Sequence, residues 1–156
     1  MTMLNSKADS VVLGYLGRAL SMELSAVQLY STQAKLVETW GLTEIASKLS
    51  DEANEELEHA NRIIGRMLAL GVAPNASQLR PVRLGHSVQE LLQNDYAFEN
   101  ELVLLYENAV KYCVAKGDHD NRLFFDYLLT EERSHAQALF KWLQQLEETS
   151  LASMEK

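Results

Sequence analysis

The sequence predicts an all-α fold, a four-helix bundle with one long crossover between helices two and three. Three observations predict it. Apolar residues recur at helical spacing through four long stretches. Only two prolines and seven glycines interrupt the 156 residues. Both prolines and two of the glycines fall in one segment, residues 71–86, with two helical stretches on either side.

The first helix is expected over about residues 8–39, where Val12, Leu16, Ala19, Glu23, Ala26, Tyr30, Ala34 and Val37 form one stripe. One member of that apolar stripe is a glutamate. Trp40-Gly41 makes a short break, and the second helix runs over about 42–70. A link this short makes the two helices antiparallel neighbours. Segment 71–86 is long for a loop in a compact domain. Its length lets the chain travel the height of a bundle, so the third helix need not run antiparallel to the second.

Ser87-Val-Gln-Glu90 has the spacing of a capping box and opens the third helix, about 87–116. Leu92, Glu99, Tyr106 and Cys113 follow at seven-residue intervals, with Leu102, Val103, Ala109 and Val110 beside them. Again a glutamate sits in an apolar stripe. Gly117 ends this helix, and Asp118 caps a fourth over about 118–147. The tail from Glu148 to Lys156 is a poor helix by propensity, so any fifth helix is expected to be short or absent. Residues 1–156 read as a single domain of ferritin-like topology, the bundle type that has one long crossover. Trp40 and Trp142 are expected as packing residues, and no repeat of solenoid period is visible.

A net charge of −8 argues against nucleic-acid binding, which needs a positive face. It suits a protein that attracts cations. The lone Cys113 excludes an internal disulfide and any Cys-x-x-Cys metal site, and reads as a small buried hydrophobe. No run approaches a membrane span, and the first residues lack a hydrophobic signal core. The expected location is cytoplasmic.

Two Glu-x-x-His pairs, Glu56 with His59 and Glu132 with His135, lie 76 residues apart. Positions i and i+3 share a helix face, so each pair aims a carboxylate and an imidazole at one point. Taken singly, such a pair is ordinary in glutamate-rich helices. Jointly with Glu23 and Glu99 it becomes one acid from each of two helices and Glu-x-x-His from each of the others, the ligand set of di-iron and di-manganese carboxylate proteins. Four buried carboxylates at one point repel each other and take up protons unless cations neutralise them. Oxygen and imidazole donors suit iron or manganese.

Tyr30 lies two turns beyond Glu23 on the same face, and reads either as a donor of a hydrogen bond or electron to the site or as a core tyrosine. Tyr106 stands in the same relation to Glu99 and reads as core. Asp51, Glu52, Glu55 and Glu58 read as solvated surface, with a cation path as the other reading. His86 and His119 have no acid partner at ligand spacing.

With these residues in place, the chain resembles the bacterioferritins over almost its whole length. The resemblance rests on Glu23-Leu-Ser-Ala-Val-Gln-Leu-Tyr30, Trp40-Gly-Leu42, Glu55-Glu-Leu-Glu-His-Ala60, Arg62-Ile-Ile-Gly-Arg66, Asp95-Tyr-Ala-Phe-Glu99 and Glu131-Glu-Arg-Ser-His135. It implies a ferroxidase centre of two iron ions per subunit, for which manganese or zinc can substitute. Glu56 and Glu132 would bridge the ions, with Glu23 and His59, and Glu99 and His135, as terminal ligands. Fe2+ would be oxidised with O2 or H2O2 and stored as mineral inside a 24-subunit shell built from dimers.

The resemblance also sets a departure. The family's haem is held by a methionine directly after the second helix's metal-binding glutamate, and here that position is Leu57. Usual haem binding is therefore not expected, and neither Met22 nor Met67 has support as a substitute. Co-assembly with a haem-carrying subunit follows as a hypothesis, which purely homo-oligomeric protein from the native cell would refute. The alternative function is a non-storage di-iron enzyme, a rubrerythrin-like peroxidase or an oxygenase, working as a dimer. A shell subunit with a dead site fits poorly with the complete ligand set. Small DNA-protecting ferritins lack the two Glu-x-x-His pairs.

Overall fold

The computed structural model describes residues 2–3, 8–74 and 78–154. Four helices dominate it: α1 (Ser10–Thr39), α2 (Thr43–Ala69), α3 (Val88–Lys116) and α4 (His119–Met154). The ends of the first three lie within two residues of the sequence expectation, because each is set by a local signal. Asp9 caps α1 by accepting from the backbone N–H groups of Val11 (2.7 Å) and Val12 (3.3 Å). Ser87 Oγ accepts from Glu90 N–H, while the Glu90 carboxylate reaches back to the N–H of His86, one residue outside the usual capping box. Asp118 Oδ1 accepts from Asn121 N–H at the start of α4.

Helices α1 and α3 end in the same way. Gly41 and Gly117 adopt φ of 81° and 67°, which only glycine tolerates without strain. The next residue then folds back, Leu42 N–H onto Val37 O and Asp118 N–H onto Cys113 O, closing a Schellman turn at each site.

Cross-helix bonds give the helix directions. Asp9 pairs with Tyr112, Tyr30 with Glu99 and Gln33 with Asp95, so α1 and α3 run antiparallel. His59 meets Glu132 and Arg66 meets Asn121, so α2 and α4 do too. Since α1 is joined to α2 by a tight turn, α3 runs parallel to α2, and the crossover spans the height of the bundle. Arg80 ties the crossover to α1 and α3: its N–H donates to Ser25 Oγ, and its guanidinium sits 2.6 Å from Glu101 and stacks 5.4 Å above the Phe98 ring.

Three features depart from expectation. Helix α4 continues through Met154 rather than ending near Glu147, and no fifth helix occurs among the described residues. Extending a helix already formed costs little per residue even where propensity is poor, and Thr149 Oγ1 donates back to Gln145 O. Residues 155 and 156 lie outside the described residues. A two-residue antiparallel pair, Thr2–Met3 (β1) with Val72–Ala73 (β2), fastens the chain start to the crossover. Trp40 is exposed rather than packed, while Trp142 is half-buried with Lys48 over its ring. Cys113 is buried as expected, and among the described residues no helix is long and apolar enough to cross a membrane.

Candidate metal centre

The bundle axis is apolar over most of its length, with Leu16, Leu49, Ile63, Leu92, Leu102, Phe125 and Leu128 all fully buried. At mid-height the same inward positions carry acids. Glu23, Glu56, Glu99 and Glu132 have no solvent exposure, and His59 and His135 are also buried. All six expected ligand residues converge there.

The histidines sit on opposite sides of one pocket, rings 5.6 Å apart and nearly parallel. Each turns Nδ1 inward. His59 Nδ1 lies 2.8 Å from Glu132 Oε1, 3.6 Å from Glu23 Oε2 and 3.7 Å from Glu56 Oε1. His135 Nδ1 lies 2.9 Å from Glu56 Oε1 and 3.4 Å from Glu132 Oε2. Glu56 and Glu132 therefore stand between the imidazoles, while Glu23 lies on the His59 side.

Two overlapping donor groups result: Glu23, Glu56, His59 and Glu132, and Glu52, Glu56, Glu99 and His135. Within each, the donor atoms all lie within 4.8 Å of one another.

Two phenols brace the outer acids. Tyr30 donates to Glu99 Oε1 and Tyr106 to Glu23 Oε1, both at 2.7 Å. Burial and the neighbouring carboxylates hold both hydroxyls well above the usual tyrosine pKa, so they stay protonated and donating.

The remaining valences are open. Glu23 Oε2, both oxygens of Glu56, Glu99 Oε2, Glu132 Oε2 and His135 Nδ1 are buried with no hydrogen-bond partner. His135 Nδ1 is close to Glu56 but out of hydrogen-bond alignment. Buried polar atoms are nearly always satisfied, so this many unpartnered donor atoms at one point is a site shaped for something else. Divalent cations fit it: they are charged oppositely, and the donor set is mixed carboxylate and imidazole.

Without cations the site holds protons. Burial, then the charges of Glu23 and Glu99, push Glu56 and Glu132 well above the usual carboxylate range. Burial also raises Glu99. Burial opposes charge on Glu23 as well, but the facing His59 and the protonated Glu56 and Glu132 outweigh it, and its pKa is lowered. Burial disfavours charge on His59 too, and Glu23 outweighs it, raising that pKa.

Glu52 departs from the solvated-surface expectation. It is not solvated surface: its Oε2 is buried, 3.6 Å from His135 Nδ1, and burial raises its pKa to about 7. Glu55 stays half-exposed, yet its Oε2 lies 2.6 Å from His135 Nε2, on the far side of that ring from the pocket. Asp51 and Glu58 are exposed as expected, and so are His86 and His119.

Tyr106 was visible in another way. Glu23 and Glu99, Tyr30 and Tyr106, Gly41 and Gly117, Glu55 and Glu131, Glu56 and Glu132, and His59 and His135 are each 76 positions apart. The helical hairpin α1–α2 is thus repeated in α3–α4 without insertion or deletion across the site.

The ferritin-like domain profile matches residues 13–150. Bacterioferritin of Rhodobacter capsulatus is 38% identical over 133 residues, 85% of this chain and 83% of that protein. The chain belongs to the bacterioferritin family. The chain is also similar to the bacterial ferritin of Synechocystis sp., 33% identical over 93% of this chain and 94% of that protein. A crystal structure of the Rhodobacter capsulatus bacterioferritin, described with a metal-free dinuclear site and haem iron, superimposes with a TM-score of 0.87 at 36% identity. It covers 91% of this chain and 89% of that one. The four-helix bundle is thus the family's fold.

Proposed function

We propose that the chain is an iron-storage subunit whose buried centre is a ferroxidase. It takes two Fe2+ ions, oxidises them to Fe3+ and passes the iron to a mineral store inside a protein shell. The observation that carries this reading is the set of unpartnered carboxylate oxygens and His135 Nδ1 at mid-bundle, in a chain of this family. Two Fe2+ lose one electron each. One O2 takes two electrons and two protons to give H2O2, or one H2O2 takes two electrons and two protons to give two waters.

Glu56 and Glu132, between the two imidazoles, are the bridging ligands of this proposal. Glu23 with His59, and Glu99 with His135, are the terminal ones. Tyr30 and Tyr106 hold the outer carboxylates in place by their hydrogen bonds. The donor set also accepts manganese or zinc. The pocket beside His59 is lined by Glu55, Glu58, Tyr127 and Glu131 and encloses about 140 Å³. That suits hydrated cations and small oxidants, and is well below the ~300 Å³ at which organic-ligand pockets begin. This favours iron oxidation over an organic-substrate oxygenase.

Leu57 points a hydrocarbon side chain outward from α2 and is exposed. It offers no thioether to a haem iron, and Met67 is fully buried. The subunit of this proposal therefore binds no haem in the family's usual way, and co-assembly with a haem-binding subunit would supply one. Large exposed apolar side chains on α3 and α4, Leu104, Val114, Leu123 and Phe140 among them, favour self-association as dimers and a 24-subunit shell.

Anaerobic Fe2+ titration followed by an O2 pulse tests the centre: two irons per chain should oxidise in the fast phase, and His59→Ala should abolish it with the fold intact. A fast phase that survives removes the ligand assignment. Native mass measurement separates a shell from a dimeric, rubrerythrin-like enzyme, and a Soret band in the purified homo-oligomer would overturn the haem assignment.

A further inference from the structure

The two hairpins act as internal controls for each other. At three positions the correspondence sets an aromatic ring against a leucine. Phe125 in α4 stands where α2 has Leu49, Tyr15 in α1 where α3 has Leu91, and Tyr112 in α3 where α1 has Leu36. Leu49 and Leu91 are buried in the core, and Leu36 packs against it. Leucine thus fills these positions in one half of the bundle, and packing alone does not call for rings in the other.

The three rings are joined in series to Tyr106. The ring centroids of Tyr106 and Phe125 are 6.4 Å apart. Phe125 lies edge-on to Tyr15 at 6.3 Å, and Tyr15 lies 6.2 Å from Tyr112. These are contact separations for aromatic pairs. The series starts at a fully buried phenol beside the centre and ends at a half-buried one near the start of α1. Tyr30, with leucines in place of all three rings, has no such series.

Both terminal phenols hold a proton acceptor. Tyr106 donates to Glu23 Oε1 and Tyr112 to Asp9 Oδ2, each at 2.7 Å, within reach for direct proton transfer. The Tyr112 hydrogen bond lowers the Asp9 pKa, so that carboxylate is ionised and can take a proton. Asp9 too is peculiar to this half, since its counterpart is Gly85. Lys116 stands 5.8 Å over the Tyr112 ring and disfavours positive charge there, which ties loss of an electron to loss of the proton. Arg18, 4.8 Å over Tyr15, makes that ring a poor resting place for positive charge.

We propose that Tyr106, Phe125, Tyr15 and Tyr112 form an electron relay through which the Tyr112 phenol supplies one electron to the centre. The proposal rests on the reading of the centre as an iron-oxidising site. The relay serves when H2O2 meets a centre holding a single Fe2+. Reduction of H2O2 to two waters takes two electrons and two protons. The Fe2+ gives one electron and becomes Fe3+. Tyr112 gives the other, its hydroxyl proton passes to Asp9, and a neutral tyrosyl radical remains. In sum, H2O2, Fe2+, the phenol and one further proton give Fe3+, the tyrosyl radical and two waters. Tyr106 is oxidised and restored within its hydrogen bond to Glu23, and Phe125 bridges it to Tyr15 without being oxidised. The oxidising equivalent thereby leaves the core for a ring that outside reductants can reach.

Metal-free protein given one Fe2+ per chain and then one H2O2, with a nitroso spin trap present, tests the relay. The trap adduct is located by peptide mass. Wild type should carry it on Tyr112, and freeze-quenched samples without trap should show a tyrosyl electron paramagnetic resonance signal. Phe125→Leu installs the sister residue and should lose the Tyr112 adduct, while two Fe2+ per chain still oxidise in the fast phase. Tyr15→Leu should do the same, and it decides if Phe125→Leu fails to fold. An adduct on Tyr112 that survives these variants comes from oxidants in solvent and overturns the relay. Wild-type protein without adduct on Tyr112, or with adduct on Tyr30 alone, also overturns it. In each of these cases an intact fast phase leaves the iron-oxidising reading standing. Absence of any fast phase in wild type overturns both.

Discussion

The Tyr106 hydroxyl donates to Glu23 Oε1 at 2.7 Å, fully inside the bundle. It reproduces from α3 what Tyr30 does from α1 toward Glu99. A hydrogen bond to a charged group contributes about 1.5–3 kcal/mol, and Glu23 is the acid of the set whose pKa is lowered. Tyr106→Phe should therefore lower the unfolding free energy of the metal-free protein by about 2 kcal/mol. It should also weaken Co2+ binding on the His59 side, with the stoichiometry kept. Unchanged urea midpoint and Co2+ affinity would show that the bond does no positioning.

Glu55 should matter despite its exposure. Its carboxylate lies 2.6 Å from His135 Nε2 and fixes the ring so that Nδ1 faces the pocket. Such outer partners of a ligating histidine commonly account for a 10–100-fold change in metal affinity. Glu55→Ala is expected to weaken one of two Co2+ steps by about that range, with circular dichroism unaltered. Two unchanged steps would remove Glu55 from the site.

Metal-free protein should lose stability as pH rises. Burial raises the pKa of Glu56, Glu99, Glu132 and Asp95, and Glu52 reaches about 7. Between the ordinary carboxylate pKa and these raised ones, the folded state holds more protons than the unfolded, so the stability slope with pH is negative. His59, also raised, adds to that sign as pH climbs through its folded value. Calorimetry from about pH 5.5 to 8 should show a falling Tm. With excess Zn2+ the trend should reverse, because binding needs deprotonated ligands. A metal-free Tm that rises over this range is incompatible with buried, protonated acids.

Gly41→Ala and Gly117→Ala should cost similar amounts. Both glycines have positive φ, and an added Cβ would meet nothing within 4 Å at either, so only backbone strain counts. That strain is roughly 1–2 kcal/mol. Denaturant unfolding of the two variants should give equal losses within error, and a large disparity would mean that the two turns are not equivalent.

Much of this molecule was readable before any coordinates, for identifiable reasons. Helix limits followed from Asp9, Gly41, Ser87 and Gly117, whose effects act over three or four residues. The six-residue centre followed from glutamates interrupting apolar stripes. The end of α4 did not, because helix extension depends on what has already formed rather than on the tail's own preferences. Glu52 and Glu58 look alike in sequence, both near Glu56, and only packing of α2 against its neighbours separates the half-buried one from the solvated one. Asp95 lay within the stretch that carried the family resemblance, yet nothing in the chain marks its partner as Gln33, 62 positions away. The β1–β2 pair joins two dipeptides from distant segments, too short for any alternating pattern. Tyr106 is legible through the 76-residue correspondence, which pairs it with Tyr30 as it pairs Glu99 with Glu23.

Each donor group draws on both hairpins, Glu23, Glu56 and His59 with Glu132 on one side, Glu52 and Glu56 with Glu99 and His135 on the other. An ion bound in either group works as a latch between two halves that can each fold early from nearby contacts. Hydrogen exchange should then find a metal-free molecule in which α1–α2 and α3–α4 open with separate protections, and a loaded one in which they open only together.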